Sequence, residues 1–289
     1  MHKEHHGFLY GGVAALAAAS MALFAKLAAP VPVETIIFVR FFLGLPFFLL
    51  SLFSKKVSFS FGQIPKYLLR SLMGLAALYC YFYAVKILPL VNAVTLANTI
   101  PLFMPFVALI WLKLVVSKMR FFALAVGFIG VLILLRPTNA IVEWGSILGL
   151  GCGIFGAVAL MGVRLLSKTE SAETILVYYF IICTFVTLFP AIATWKPIPD
   201  VTHWFYLLLI SLFATIYQYT LTRAFIHAPA TKVSTMNYLG VVFGGLFGWW
   251  VFGEVPDYWV WIGTVLIIAS ALLALFDKTP PRHIGKSRS

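Results

Sequence analysis

Residues 34–41 read ETIIFVRF, and residues 173–180 read ETILVYYF. Glu, Thr, the first Ile and the final Phe coincide at an offset of 139. A second pair of segments, AVKILPLVNAVT (84–95) and AFIHAPATKVST (224–235), aligns Ala84 with Ala224, Pro89 with Pro229 and Thr95 with Thr235 at an offset of 140. Each match says little alone in so apolar a chain. Their common spacing divides the chain into two similar halves.

The surroundings of these segments fix the class. Of 289 residues, 62% are hydrophobic and 10% charged, against roughly 45–50% and about 25% in soluble domains. Ten apolar runs follow one another, at 8–27, 33–53, 67–86, 92–112, 120–136, 145–164, 173–194, 204–223, 233–252 and 257–276. Their lengths suit a bilayer crossing of about 17–25 residues. They are continuous rather than alternating, which predicts helices and not a barrel. The first run follows MHKEHHG and has a signal peptide's small residues, but it is long for one and a second run follows at once. The expected fold is an all-α integral membrane protein of ten transmembrane helices, built as two inverted five-helix repeats, 1–139 and 140–276, with a cytoplasmic tail at 277–289.

Inversion follows from the odd number of helices per half, which makes the second half enter from the opposite side. Charge agrees with it. With the N-terminus inside, one face collects Lys3, then Lys55, Lys56, Lys66 and Arg70, then Lys113, Lys118 and Arg120, then Arg164, Lys168, Arg223 and Lys232, and finally Lys278, Arg282, Lys286 and Arg288. The other face has Lys26, Lys86, Arg136 and Lys196. That bias predicts both termini in the cytoplasm and accounts for the +12 net charge without a nucleic-acid partner. Lys113 and Leu114 fall opposite Gly253 and Glu254 in the repeat, so the charge changes sign where the topology inverts. Trp195, Trp204, Trp249, Trp250, Trp259 and Trp261 sit near run ends on the outer side, as an interfacial belt does.

Within the runs, Arg40 stands out. A charge near the bilayer centre costs about 2.5–3.5 kcal/mol on insertion scales, so it is expected to face the bundle interior. There it either caps free carbonyls or grips a substrate carboxylate or phosphate. Every Asp and Glu falls at or beyond a run end, none deep in the membrane, which favours an anionic or zwitterionic ligand. Tyr179 is the repeat mate of Arg40, and Tyr79 and Tyr83 share a helix face. Tyr217, Gln218 and Thr220 make a polar patch around Tyr219, the mate of Tyr79. The fourth span carries Thr95, Asn98 and Thr99 before Pro101 and Pro105, and a proline there frees the carbonyls of Ala97 and Pro101, predicting a kinked, cavity-lining helix. Its counterpart offers Asn237 and Tyr238. Interhelical hydrogen bonds and a wet, aromatic-walled cavity both remain open for these groups. Cys80, Cys152 and Cys183 show neither disulfide nor metal spacing, so no metal and no cofactor are expected.

Arg40-Phe41, the stretch AVKILPLVNAVTLANTIPLFMPFVALIWL running into GFIGVLILLRP, and FGEVPDYWVWIGTVLII together resemble the EamA-type branch of the drug/metabolite transporter superfamily over essentially the whole chain. The resemblance implies a central cavity walled by helices 1 to 4 and 6 to 9, with 5 and 10 peripheral. It implies a carrier of small polar organics such as amino acids, nucleotide-like metabolites or vitamins. RFFLGLPFFLL and GVLILLRP look like the S-adenosylmethionine uptake carriers of that group. Leu114 departs from the family, which often has a Glu there. No GxxxxGK[ST], GxSxG or HExxH motif is present. The expectation is therefore a secondary transporter in the cytoplasmic membrane working by exchange or facilitated transport, with a channel or structural subunit as the alternative and an enzyme excluded. Its partners are a small metabolite and the lipid bilayer, with a homodimer left open.

Overall fold

The computed structural model describes residues 2–50, 61–112, 114–115, 117–135, 144–227, 238–276 and 282–283. Helices account for nearly all of them: α1 (His2–Leu27), α2 (Val33–Leu49), α3 (Ile64–Ile87), α4 (Leu90–Ala97), α5 (Ile100–Leu112), α6 (Lys118–Leu135), α7 (Trp144–Leu166), α8 (Ala172–Ala193), α9 (Val201–His227), α10 (Leu239–Phe252) and α11 (Tyr258–Phe276). Six spans are long and apolar enough to cross a membrane, counting Leu90–Trp111 as one, and Phe121–Leu134, Leu239–Phe252 and Tyr258–Ser270 are shorter apolar helices. The six tryptophans of the expected belt are all exposed. One departure from all-helical structure is a two-residue antiparallel pairing of Leu114–Val115 with Arg282–His283. It brings the segment after α5 and the C-terminal tail to the same end of the bundle.

The helix ends follow from local chemistry. Pro32 and Pro89 precede α2 and α4, where a missing N–H costs nothing. Ser171 Oγ accepts from Thr174 N at the start of α8 (3.1 Å), and Asp200 Oδ1 from His203 N at the start of α9 (3.0 Å), each satisfying a free amide. The His203 contacts hold the Asp200 carboxyl below the usual carboxylate range. Gly253 ends α10 at φ +65°, a left-handed conformation that suits glycine and turns Glu254 back toward the helix end.

The fourth run does not make one helix. It breaks at Asn98–Thr99 into α4 and α5, while Pro105 stays inside α5. Pro101, one residue into α5, cannot donate to Ala97. Thr95 Oγ1, Asn98 Nδ2 and Thr99 Oγ1 donate to the carbonyls of Val91, Val94 and Leu96 at 2.7, 2.8 and 2.6 Å.

Helix packing has a pattern. The most extensive pairings are α1 with α9, α3 with α7, α6 with α11 and α2 with α8, followed by α5 with α7, α1 with α10 and α2 with α9. Exchange α1, α2, α3, α4–α5 and α6 with α7, α8, α9, α10 and α11, and each pairing maps onto itself or onto another observed one. At the α2–α8 crossing the aligned residues Phe41 and Phe180 meet edge to face, with ring centroids 5.2 Å apart. At α6–α11, a Cβ on Gly130 would come within 2.8 Å of Gly263 O, and one on Gly263 within 2.8 Å of Gly130 O. Small residues permit that closeness, which drives helix association where lipid offers no hydrophobic gain.

Candidate functional site

Between the helices lies a cavity lined by α1, α3, α4, α5, α7, α8, α9 and Gly240 of α10. Counted as space open to water centres it measures about 100 Å³, several times the ~10–15 Å³ one water needs on that measure. Most of the lining is small or apolar, as at Ala15, Ala18, Ala77 and Ala159; the polar members are Arg70, Tyr81, Asn98, Tyr179, Tyr217 and Gln218. None of the described lining residues is acidic.

Arg70 is the centre of this group, and its place corrects the sequence reading, which counted it with the loop-side charges at the cytoplasmic end of the third run. The third helix begins at Ile64 rather than near 67, which carries Arg70 inside the bundle, where it is only 3% exposed. Its guanidinium lies over the ring of Tyr179, Cζ 4.0 Å from the centroid, and Nη2 donates to Gln218 Oε1 at 3.3 Å. Gln218 Nε2 in turn donates to Tyr179 Oη at 3.5 Å. Two glycines make the room. A Cβ on Gly74 would strike Arg70 Nη1, and a Cβ on Gly162 would stand 3.2 Å from Arg70 Cβ. Nε of Arg70 has no protein partner. Stacked and held on one edge, the fork keeps donors for a planar anion.

Of the residues expected at the site, the structure brings Asn98, Tyr179, Tyr217 and Gln218 to the cavity lining. Arg40 is fully buried on α2, but neither it nor any other α2 residue lines the cavity. The second helix instead packs by its phenylalanines, Phe41 and Phe48 against Phe180 at 5.2 and 4.5 Å, and Arg40 lies behind Met21 and Tyr179. The α2 wall implied by the resemblance is thus corrected, while α6 and α11 do stay off the cavity. Thr95 and Thr99 spend their hydroxyls on backbone carbonyls of α4, as threonines in and beside helices commonly do. Tyr83 donates to Glu34 at the end of the bundle. Tyr79 and Tyr238 have buried hydroxyls without protein partners but do not line the cavity. Asn237 lies outside the described residues.

Two sets of polar contacts close the ends. At one, Lys26 Nζ pairs with Glu254 Oε1 and donates to Leu88 O at 2.9 Å, while Glu254 Oε2 accepts from Leu90 N at 2.7 Å. At the other, Arg223 Nη2 donates to Glu173 Oε1 at 2.5 Å and Gln63 Nε2 to Thr169 Oγ1 at 2.8 Å. Glu34–Tyr83 and Glu173–Arg223 occupy aligned positions of the two halves. Among the described residues no group of acids, histidines and cysteines could hold a metal.

Comparison with known proteins agrees with this architecture. The EamA-like transporter family matches residues 5–136 and again 143–276. The pseudopaline exporter CntI of Pseudomonas aeruginosa is 30% identical over 87% of this chain and 89% of its own length. A riboflavin transporter of Vibrio cholerae is 28% identical over 93% and 94%, and an S-adenosylmethionine uptake transporter of Rickettsia bellii 25% identical over 73% and 72%. A protein crystal structure superposes with a TM-score of 0.69 at 17% identity, covering 93% of this chain and 96% of that one, a likeness of fold alone. Matched twice along its length, with relatives that are transporters and not enzymes, the chain belongs to the EamA-like transporter family.

Proposed function

We propose that this protein is a secondary carrier that moves a small anionic or zwitterionic organic metabolite across the cytoplasmic membrane by alternating access. The observation that carries the substrate class is Arg70: a guanidinium on the cavity surface, with no acid among the described lining residues to neutralise it. A solute carboxylate or phosphate supplies the missing counter-charge. Tyr81, Tyr179 and Tyr217 offer aromatic surface to its organic part, and Asn98 and Gln218 offer amides.

Alternating access rests on ten spans arranged as two inverted halves, 1–139 and 140–276, with both termini cytoplasmic. Three observations support it: the twofold family match, helix pairings that survive exchange of the halves, and aligned fastenings, Glu34–Tyr83 and Glu173–Arg223, at opposite ends. On this reading the Lys26–Glu254 end faces outward. Rocking of the halves about the central cavity then exposes it to each side in turn. The cavity is lined within one chain, so a homodimer is not required.

The relatives' names cover pseudopaline, riboflavin and S-adenosylmethionine, so they support a small metabolite without choosing one; the S-adenosylmethionine reading is one candidate among these. The test is a thermal-shift panel of carboxylate- and phosphate-bearing metabolites on purified protein, followed by counterflow of the hits in proteoliposomes. Saturable counterflow, lost in Arg70→Gln while that variant stays folded, is the expected result. Equal stabilisation of wild type and Arg70→Gln contradicts the assigned site, and flux that never saturates indicates a channel.

A further inference from the structure

The cavity wall conceals a second guanidinium. Arg40 has no exposed surface, and its one side-chain hydrogen bond is from Nη1 to Met21 Sδ at 3.6 Å. A thioether is a weak acceptor, and Nε and Nη2 have no protein partner. The titratable and charged groups facing Arg40 are Tyr179, Cys183, Tyr217 and Arg70. No carboxylate is among them. Three of the four, Tyr179, Tyr217 and Arg70, line the cavity, and so does Met21. What separates Arg40 from the cavity on that side is therefore a flexible side chain with three rotatable bonds.

We infer that Arg40 is the hidden half of a two-arginine anion site, uncovered when the bound solute's carboxylate or phosphate displaces the Met21 thioether. This rests on the reading of the cavity as the solute site. The anion docks first on Arg70, whose donors already face the cavity. It then offers Arg40 a charged acceptor in place of sulfur, and Met21 turns aside. Two cations near one another with no acid between them repel, and an anion placed between them relieves that repulsion while making charge-assisted bonds to both. A neutral solute lacks the means to exchange places with Met21. The device thus separates anionic or zwitterionic solutes from neutral ones of the same shape, and it makes the occupied protein differ from the empty one.

The test is modification of arginine by phenylglyoxal on the full-length purified chain, read by mass spectrometry at the peptides carrying Arg40 and Arg70. Benzoate and inorganic phosphate serve as separate probes, distinguishing a carboxylate site from a phosphate site. In the wild type Arg70 is expected to react and Arg40 to be shielded. Met21→Ala is expected to raise the Arg40 rate about tenfold or more, and Met21→Leu, which keeps the bulk, to leave it shielded. In Met21→Ala at least one of the two anions is expected to protect Arg40 and Arg70 together, at the same concentration. Protection of Arg70 without Arg40 overturns the paired site and leaves the cavity assignment standing. Protection of neither by either anion overturns both. An Arg40 as inert in Met21→Ala as in the wild type also overturns the inference, because Met21 is then not its cover.

Discussion

Replacing Glu254 by glutamine is expected to loosen the Lys26 end of the protein, which faces outward on the proposed topology. Glu254 sits just past the left-handed Gly253 and joins the turn after α10 to two elements of the other half, Lys26 on α1 and the amide of Leu90 at the start of α4. The other ion pairs given by the described residues, His203–Asp200 and Arg223–Glu173, each lie within one half. The Glu254→Gln side chain would keep one oxygen to accept from one of the two donors and turn an NH2, which cannot accept, toward the other. Charge-assisted bonds contribute about 1.5–3 kcal/mol and neutral ones about 0.5–1.5, so losing one and exchanging the other amounts to about 3 kcal/mol. Lys26 and Glu254 are 16% and 21% exposed, and solvent screening lowers the figure to about 1–2 kcal/mol. An equilibrium between outward-closed and outward-open forms should therefore move about 5- to 30-fold. Cys152 lines the cavity and is a native reporter once Cys80 and Cys183 are replaced by serine. Its reaction with a membrane-impermeant thiol reagent added outside should accelerate by that factor in Glu254→Gln. An unchanged rate in a folded variant would refute the idea that this contact restrains the outward gate.

Other outcomes follow from the same geometry. Gly162→Ala should cost about 1–3 kcal/mol by crowding the Arg70 stem and should also impair solute binding, whereas Gly12→Ala, with nothing within 4 Å of the new Cβ, should do neither; thermal unfolding in detergent and the metabolite panel measure both. Arg223→Gln should destabilise more than Tyr83→Phe, about 1–3 against about 1 kcal/mol, since it leaves the largely buried Glu173 carboxylate (12% exposed) without its cationic partner; the two unfolding midpoints decide it. Gly253→Ala should both lower stability by about 1 kcal/mol, by straining a φ of +65°, and speed outside labelling of Cys152.

Spanning helices were legible because membrane insertion is written in composition: a run of apolar residues needs no partner to be recognised. Broken α4–α5 was legible in part, since Pro101 announces a lost bond, but where the turn falls depends on which side chains bond the carbonyls at the end of α4, here Thr95, Asn98 and Thr99. Arg70 was not legible. It stands near the polar end of its run, where a charge ordinarily reaches back to water, and only the start of α3 at Ile64 together with Gly74 and Gly162 turns it inward. Arg40 was visible as a buried cation, yet whether it lined the cavity or stood behind it depended on Met21, a residue 19 positions away. The contrast between Leu114 and Glu254 was visible too, but Glu254's partner, Lys26, is 228 residues distant. Sequence spacing carries no information about that encounter.

We propose that two five-helix halves enter the membrane from opposite sides around one cavity. Single cysteines in place of the exposed Lys66, Lys168 and Lys196, on a background lacking the three native cysteines, put it to the test in intact cells with a membrane-impermeant thiol reagent. Cysteine at 196 should be labelled from outside, and cysteines at 66 and 168 only after the membrane is permeabilised. Labelling of 66 and 196 from the same side contradicts the account.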